Sequence, residues 1–366
     1  MTRRLLTIRE LNRATLARQH LLVRASLSPL ELIRQLVAIQ GQEPDAPYIG
    51  LWTRLQAFPR SELMQLLEAK QVVKSLSIRG TLHLLATEDY LRFHPVLQPV
   101  GSRHLHLVAA KTEGFDMQHM EGSMRAFLRE QPRTRAQVQQ KVGELYPRMG
   151  TAHMASSLSM YLALLHLPQS AAWGATGKRL LTEAVTWLGR APVASPEARE
   201  ELVLRYLAAF GPASVKDMQV WSGLSKMQEI FERLRSRLCT FRDEQGRELF
   251  DLPDAPRPVA DVPAPVRFLP CFDNLILAHE ERCRVVADQY RWVAIQGMNT
   301  FLLDGFVKGT WKTQRSGSTA RLLIEPFATL STRDRHELEV EGGRLLRWID
   351  EDAERYEIQF EGGLRS

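Results

Sequence analysis

Three times along the chain a group of helical patterns gives way to a short segment that turns back on itself, and this recurrence constrains the fold more than any other feature of the sequence. In the first group Leu5, Ile8, Leu11, Leu16, Leu21 and Leu22 space for one buried face over residues 5–25. Ser28-Pro29 offers an N-cap and a proline at the first helical position, followed by Leu30, Ile33, Leu36 and Val37 on an apolar side. A further helix is expected from roughly 45 to 55, with Ile49, Leu51, Trp52 and Leu55, and Ser61 opens the next. Residues 72–85 then alternate in part around Arg79-Gly80, which suits two strands or one bent strand. Helices followed by a basic hairpin are the order of a winged helix, a helix-turn-helix carrying a β wing.

The order recurs. A helix runs from Met120 through Phe127, Pro132-Arg133-Thr134 caps another bearing Val138 and Val142, and residues 156–165 read as a strongly apolar helix. Residues 168–186 supply turn residues and a basic tip. The third group begins at Ser195-Pro196, continues through the capping stretch 211–214, and ends in a hairpin over 239–250. Residues 253–265 form a proline-rich, extended linker. Beyond it the pattern changes to strands at 266–269, 285–286, 292–296, 301–303, 306–311 and 320–327, with Asp304-Gly305 as a hairpin turn and a helix near 331–342. The expected class is α+β: winged-helix modules at 1–115, 116–193 and 194–256, then a small C-terminal β-barrel at 262–366.

A net charge of +6, carried more by arginine than by lysine, favours a partner with phosphates. Cys239, Cys271 and Cys283 form no paired pattern, no run is long enough to span a membrane, and the first residues lack the apolar core of a signal peptide. A cytoplasmic, nucleoid-associated monomer is expected. Cys271, His279 and Cys283 are too loosely spaced for zinc, and neither a Walker loop, a GxSxG elbow nor a GxGxxG turn occurs, so neither metal nor cofactor is expected. Glu280 and Glu281 point apart, and Asp217 and Asp273 stand alone and read as structural.

Within the first group, Gln40-Gly41-Gln42 is followed at once by Glu43-Pro44. Pro44 disfavours helix at Glu43, and Gly41 permits unusual backbone angles, so the apolar helix should break near Ala38. In an extended segment residues two apart face the same side, which lets both amides converge on one small volume. By composition alone this is also what a polar inter-helix turn looks like. Basic residues then fall on elements that touch DNA in winged helices: Lys74, Arg79 and His83 on the first wing, Arg133 and Arg135 at a helix start, Lys178 and Arg179 on the second wing.

The blocks LVAIQGQEPDAPYIGLWTRL, SIRGTLHLL, FGPASVKDMQVWSGL, RFLPCFDNLILAHEER and FLLDGFVKGTW together resemble the AlkZ-like family of winged-helix DNA glycosylases, nearly end to end and in the family order. The resemblance implies three tandem winged helices and a β-barrel around a DNA channel. It also implies a monofunctional glycosylase for purines alkylated at N7, able to unhook interstrand cross-links, with double-stranded DNA carrying alkylated purines as partner. It places the catalytic pair on Gln40 and Gln42, in the AlkZ-type rather than the YcaQ-type version, which has aspartate at the second position. Glycine at 41 departs from the usual apolar residue. The competing reading of the residues is a winged-helix regulator that binds DNA without chemistry.

Overall fold

The computed structural model describes residues 4–149 and 153–362. The first two helical groups do not keep separate wings. Strands Val72–Leu76 and Leu82–Ala86 pair antiparallel, with Lys74 opposite Leu84, and Val72–Leu76 also pairs with Leu164–His166 of the second group. Leu180–Glu183 and Arg133–Thr134 extend the sheet on one side, and the two-residue strand Ile39–Gln40 closes the other, giving six strands in one sheet. One hydrogen-bonded sheet therefore joins segments from residue 39 to residue 183.

The third group packs helices Ala198–Phe210, Val215–Ser222 and Gln228–Leu234 in front of the hairpin Cys239–Asp243 and Glu248–Asp251. Ser214 caps its second helix in a reciprocal box with Asp217. That hairpin takes Leu5–Leu6 as a parallel third strand. The largest apolar core runs from Val37 to Ala278 and mixes residues of all three groups, whereas a second core, from Leu105 to Leu181, belongs to the middle group.

The expected C-terminal barrel is an open sheet. Its five strands, Arg267–Leu269, Thr300–Leu303, Phe306–Ser316, Thr319–Pro326 and Arg355–Phe360, lie in that order, and the first and last do not pair. Closure is unnecessary because both faces are already covered. Phe268, Ala320, Leu322 and Ile324 pack with Leu338, Leu345 and Leu346 of the helix Thr332–Ile349, in a core shared with Leu32, Ile33 and Trp52 of the first group. Leu269, Leu302 and Val307 pack on the other side with Leu275, Val285 and Val293. Two expected strands there are not strands: Trp292–Gln296 is a short helix, and Val285 and Val286 follow a single helical turn, because the short apolar runs fit a buried turn as well as a strand.

Helix Ile8–Arg18 ties the ends of the chain together. It begins in a capping box between Thr7 and Glu10 and buries Asn12, Arg13 and Arg18 as well as Leu11 and Leu16. Asn12 donates to the Arg284 and Gly305 carbonyls, Arg13 pairs with Asp304, and Arg18 forms a two-pronged ion pair with Asp251. Asp304 and Gly305 both take positive φ, as the expected two-residue hairpin turn requires, and a Cβ at Gly305 would fall 2.6 Å from Asn12 Oδ1.

Candidate active site

The break before the glutamines comes earlier than the sequence suggests. Helix Pro29–Gln35, capped by Ser28 and Glu31, ends at Leu36, and Val37 takes the left-handed turn at φ 68°. Gly41 is not among the residues with positive φ; a Cβ there would come 2.7 Å from Leu84 Cδ1, so a side chain would require that buried leucine to shift. Strand Ile39–Gln40 pairs Gln40 with His83, and the Gly41 N–H continues the ladder to the Leu82 carbonyl at 2.9 Å. Helix Ala46–Trp52 follows.

Gln40 is only 5% exposed, and its Oε1 has no partner among the described residues. It lines a cavity of about 10 Å³ together with Gln19, Ala46, Arg54, Asp273 and Asn274. Among the described residues Asp273 is the only carboxylate in that wall, and it is engaged: Arg54 binds it through two hydrogen bonds of 2.9 and 2.7 Å, and it caps the Leu275 N–H. Asn274 donates to the Ala38 carbonyl at 2.8 Å, beside the motif. Gln42 is half-buried, with Oε1 3.5 Å from the Leu82 N–H, a long contact that leaves this oxygen weakly held. Gln40 lines this cavity, and Gln42 accepts from the Leu82 backbone.

His83, opposite Gln40, is fully buried. Its Nδ1 lies 3.0 Å from the Thr81 carbonyl, which makes Nδ1 the donor and leaves Nε2 as an unpaired acceptor. Burial, with the Arg79 charge nearby, pushes its pKa down to about 3, against the pull of the Thr81 carbonyl and Asn274, so the ring is neutral. Beyond Ala46 a larger cavity, about 330 Å³, is lined by Glu43, Asp45, Trp173, Cys271 and Trp311. Burial raises the Asp45 carboxyl although the Gly174 N–H bonds it at 2.6 Å.

The basic residues divide. Arg135, Lys178 and Arg179 are exposed. Lys74 is not: it sits in a strand paired on both sides, is 1% exposed, and gives its ammonium to the Ser170 carbonyl at 3.0 Å. Burial and the Arg179 charge lower it to about 8. His83 likewise has no surface to offer a phosphate. Arg79 donates to the Trp221 carbonyl, fixing the first group to the third, and Arg133 stacks on Phe127 and pairs with Glu130. The sequence points these four residues at DNA because it reads each wing as a free hairpin; in the merged sheet they are engaged within the protein. Conversely Gln19, Arg54 and Asn274 carry no signal by type or spacing, although Arg54 and Asn274 both lie in blocks that resemble the family. Asp273 reads as structural from the sequence, and as Arg54's ion-pair partner it is.

The architecture is one known from a DNA glycosylase. The fold matches the Streptomyces sahachiroi DNA glycosylase AlkZ with a TM-score of 0.73 and 18% identity, over 98% of this chain and 100% of that one. The profile of the DNA glycosylase AlkZ-like family matches residues 33–348, and the chain belongs to that family of DNA glycosylases. Comparison with curated proteins gives no match. Among the described residues no helix is long and apolar enough to cross a membrane, and no group of three His, Cys, Asp or Glu could hold a metal ion.

Proposed function

We propose that the chain hydrolyses the N-glycosidic bond of N7-alkylated purines in double-stranded DNA through Gln40 and Gln42, without a lyase step, and that it unhooks interstrand cross-links attached at such positions. The observation that carries this reading is the neutrality of the site. Gln40 is a neutral amide, His83 opposite it is uncharged, and the one carboxylate in the wall of the 10 Å³ cavity is locked to Arg54. Around Gln40 itself there is thus no free acid to protonate a leaving group, although Glu43 and Asp45 line the neighbouring cavity. A purine alkylated at N7 needs none, because its positive charge already weakens the bond to the sugar. What remains is to hold a water against the anomeric carbon and to tolerate an oxocarbenium ion, and amides that donate and accept can do that. Intact purines are then spared.

Two further features support the reading. A lyase would need a reachable amine, and Lys74, whose lowered pKa would suit one, is sealed in the sheet. The 330 Å³ cavity beside the motif suits a displaced base, with Trp173 and Trp311 to stack on it and Glu43 and Asp45 to favour a cation. Incubation with duplex containing N7-methylguanine, followed by heating in alkali, should cleave the strand at the modified site; a regulator without chemistry would leave it whole.

The exposed cations are proposed as backbone contacts. Changing Lys178 and Arg179 together to glutamate should weaken binding to every sequence and lower the slope of log affinity against log salt by about two units, roughly one for each phosphate no longer neutralised. An unchanged slope would put that loop away from the DNA.

A further inference from the structure

The wall of the cavity behind Gln40 carries three buried polar atoms without protein partners among the described residues: Gln40 Oε1, Asn274 Oδ1 and Arg54 Nε. Gln40, Asn274 and Arg54 are 5%, 6% and 2% exposed. As the amides are oriented, the first two atoms are acceptors and the third is a donor, and turning the Gln40 amide over would make it a donor there instead. Arg54 cannot turn toward either acceptor, since its other four N–H positions are engaged with the Gly50 carbonyl, Gln19 Oε1 and both oxygens of Asp273. Asn274 cannot rotate away, because its Nδ2 is spent on the Ala38 carbonyl. Unmet polar groups at such depth are costly, and a water needs about 10–15 Å³ and makes about three hydrogen bonds. The cavity has about 10 Å³ and those three groups.

We propose that one water occupies this cavity, accepting from Arg54 Nε and donating to Gln40 Oε1 and Asn274 Oδ1, and that Asn274 and Arg54 are thereby positioning residues for Gln40. The consequence is a fixed orientation of the Gln40 amide. Its oxygen is held inward by a water that the Arg54 charge polarises, so the group it presents outward is Nε2, a donor. Gln42, whose Oε1 is weakly held, is left as the acceptor of the pair. The division of labour between the two glutamines is set from behind, by an arginine of the first helical group and an asparagine that follows the first strand of the C-terminal sheet. This rests on Gln40 being the catalytic amide; the water itself does not.

Asn274→Leu keeps the number of side-chain heavy atoms and removes both the acceptor and the donor that holds the Ala38 carbonyl. Single-turnover excision of N7-methylguanine at saturating DNA should fall about 10- to 100-fold, the scale of a misplaced catalytic group, with DNA affinity unchanged. Asn274→Asp adds a signature. Its protonated carboxyl can donate to the Ala38 carbonyl and accept from the water, as asparagine does, whereas its carboxylate repels that carbonyl. Excision by Asn274→Asp relative to wild type should therefore rise as pH falls. Crystal structures of the wild type and of Asn274→Leu read the water directly: density within hydrogen-bond distance of all three atoms is expected in the first, and loss of the Gln40 orientation in the second. A dry cavity in the wild type overturns the water. Wild-type excision per folded molecule in Asn274→Leu, with only its melting temperature lowered, overturns the positioning role. A wild type that excises no alkylated base defeats the functional reading and leaves the crystallographic test standing.

Discussion

Gln40→Ala is expected to lower single-turnover excision of N7-methylguanine on the order of 100-fold or more, the scale seen when one preorganised hydrogen-bonding group is removed from an active site. Its affinity for duplex DNA should change little, because Gln40 is 5% exposed and has no surface with which to hold a backbone. Gln42→Ala should also lose excision without losing affinity. Gln42 is half-buried and held only by the long contact to the Leu82 N–H, so its removal should cost little stability. The measurement is the rate at saturating DNA alongside the dissociation constant from equilibrium binding. Parallel loss of both quantities would make the glutamines DNA contacts rather than groups acting on the water. Melting curves of both variants separate either outcome from unfolding.

The second large effect concerns stability. Asp273→Asn should lower it by about 3–5 kcal/mol, because the Arg54 guanidinium would stay buried without its counter-charge. The melting temperature should then fall on the order of 5 °C. Asparagine can still cap the Leu275 N–H, so the loss isolates the ion pair. The double variant Arg54→Met, Asp273→Leu removes both charges and should recover much of the stability, since a buried pair exchanged for apolar groups is often close to neutral. It should not recover excision, because Arg54 is gone from behind Gln40. If the double variant is no more stable than the single one, the two residues do not act as a pair.

Much of this is legible in the sequence because it is local. The cap at Ser28, the box at Ser214 and the Asp304-Gly305 turn are each decided by a few neighbouring residues whose chemistry admits one conformation. The glutamine stretch is legible as a break for the same reason, although the left-handed residue is Val37 and not Gly41. What the sequence hides is set at a distance. Lys74 looks like a wing cation until Leu164–His166 pairs beside it, and no pattern near residue 74 announces a strand that far along the chain. The open C-terminal sheet is hidden by the same limit, since whether a sheet must close depends on what covers its faces. Asn274 and Arg54 have meaning only together, across 220 positions of chain.

Helix Ile8–Arg18 also fixes when the molecule can be finished. Several partners of its buried polar side chains and of the adjoining Gln19, at Ala209, Asp251, Val262, Arg284 and Asp304-Gly305, lie far downstream. At about 5–20 residues per second a ribosome takes roughly 15–60 s to go from residue 18 to residue 304. For that time the helix leaves the exit tunnel with Leu11 and Leu16 uncovered and with Arg13 and Arg18 uncompensated. The middle group, whose core lies within residues 105–181, can settle long before. This helix is thus among the last elements to be placed, and nascent chains stalled short of residue 304 should still be protease-sensitive over residues 8–18.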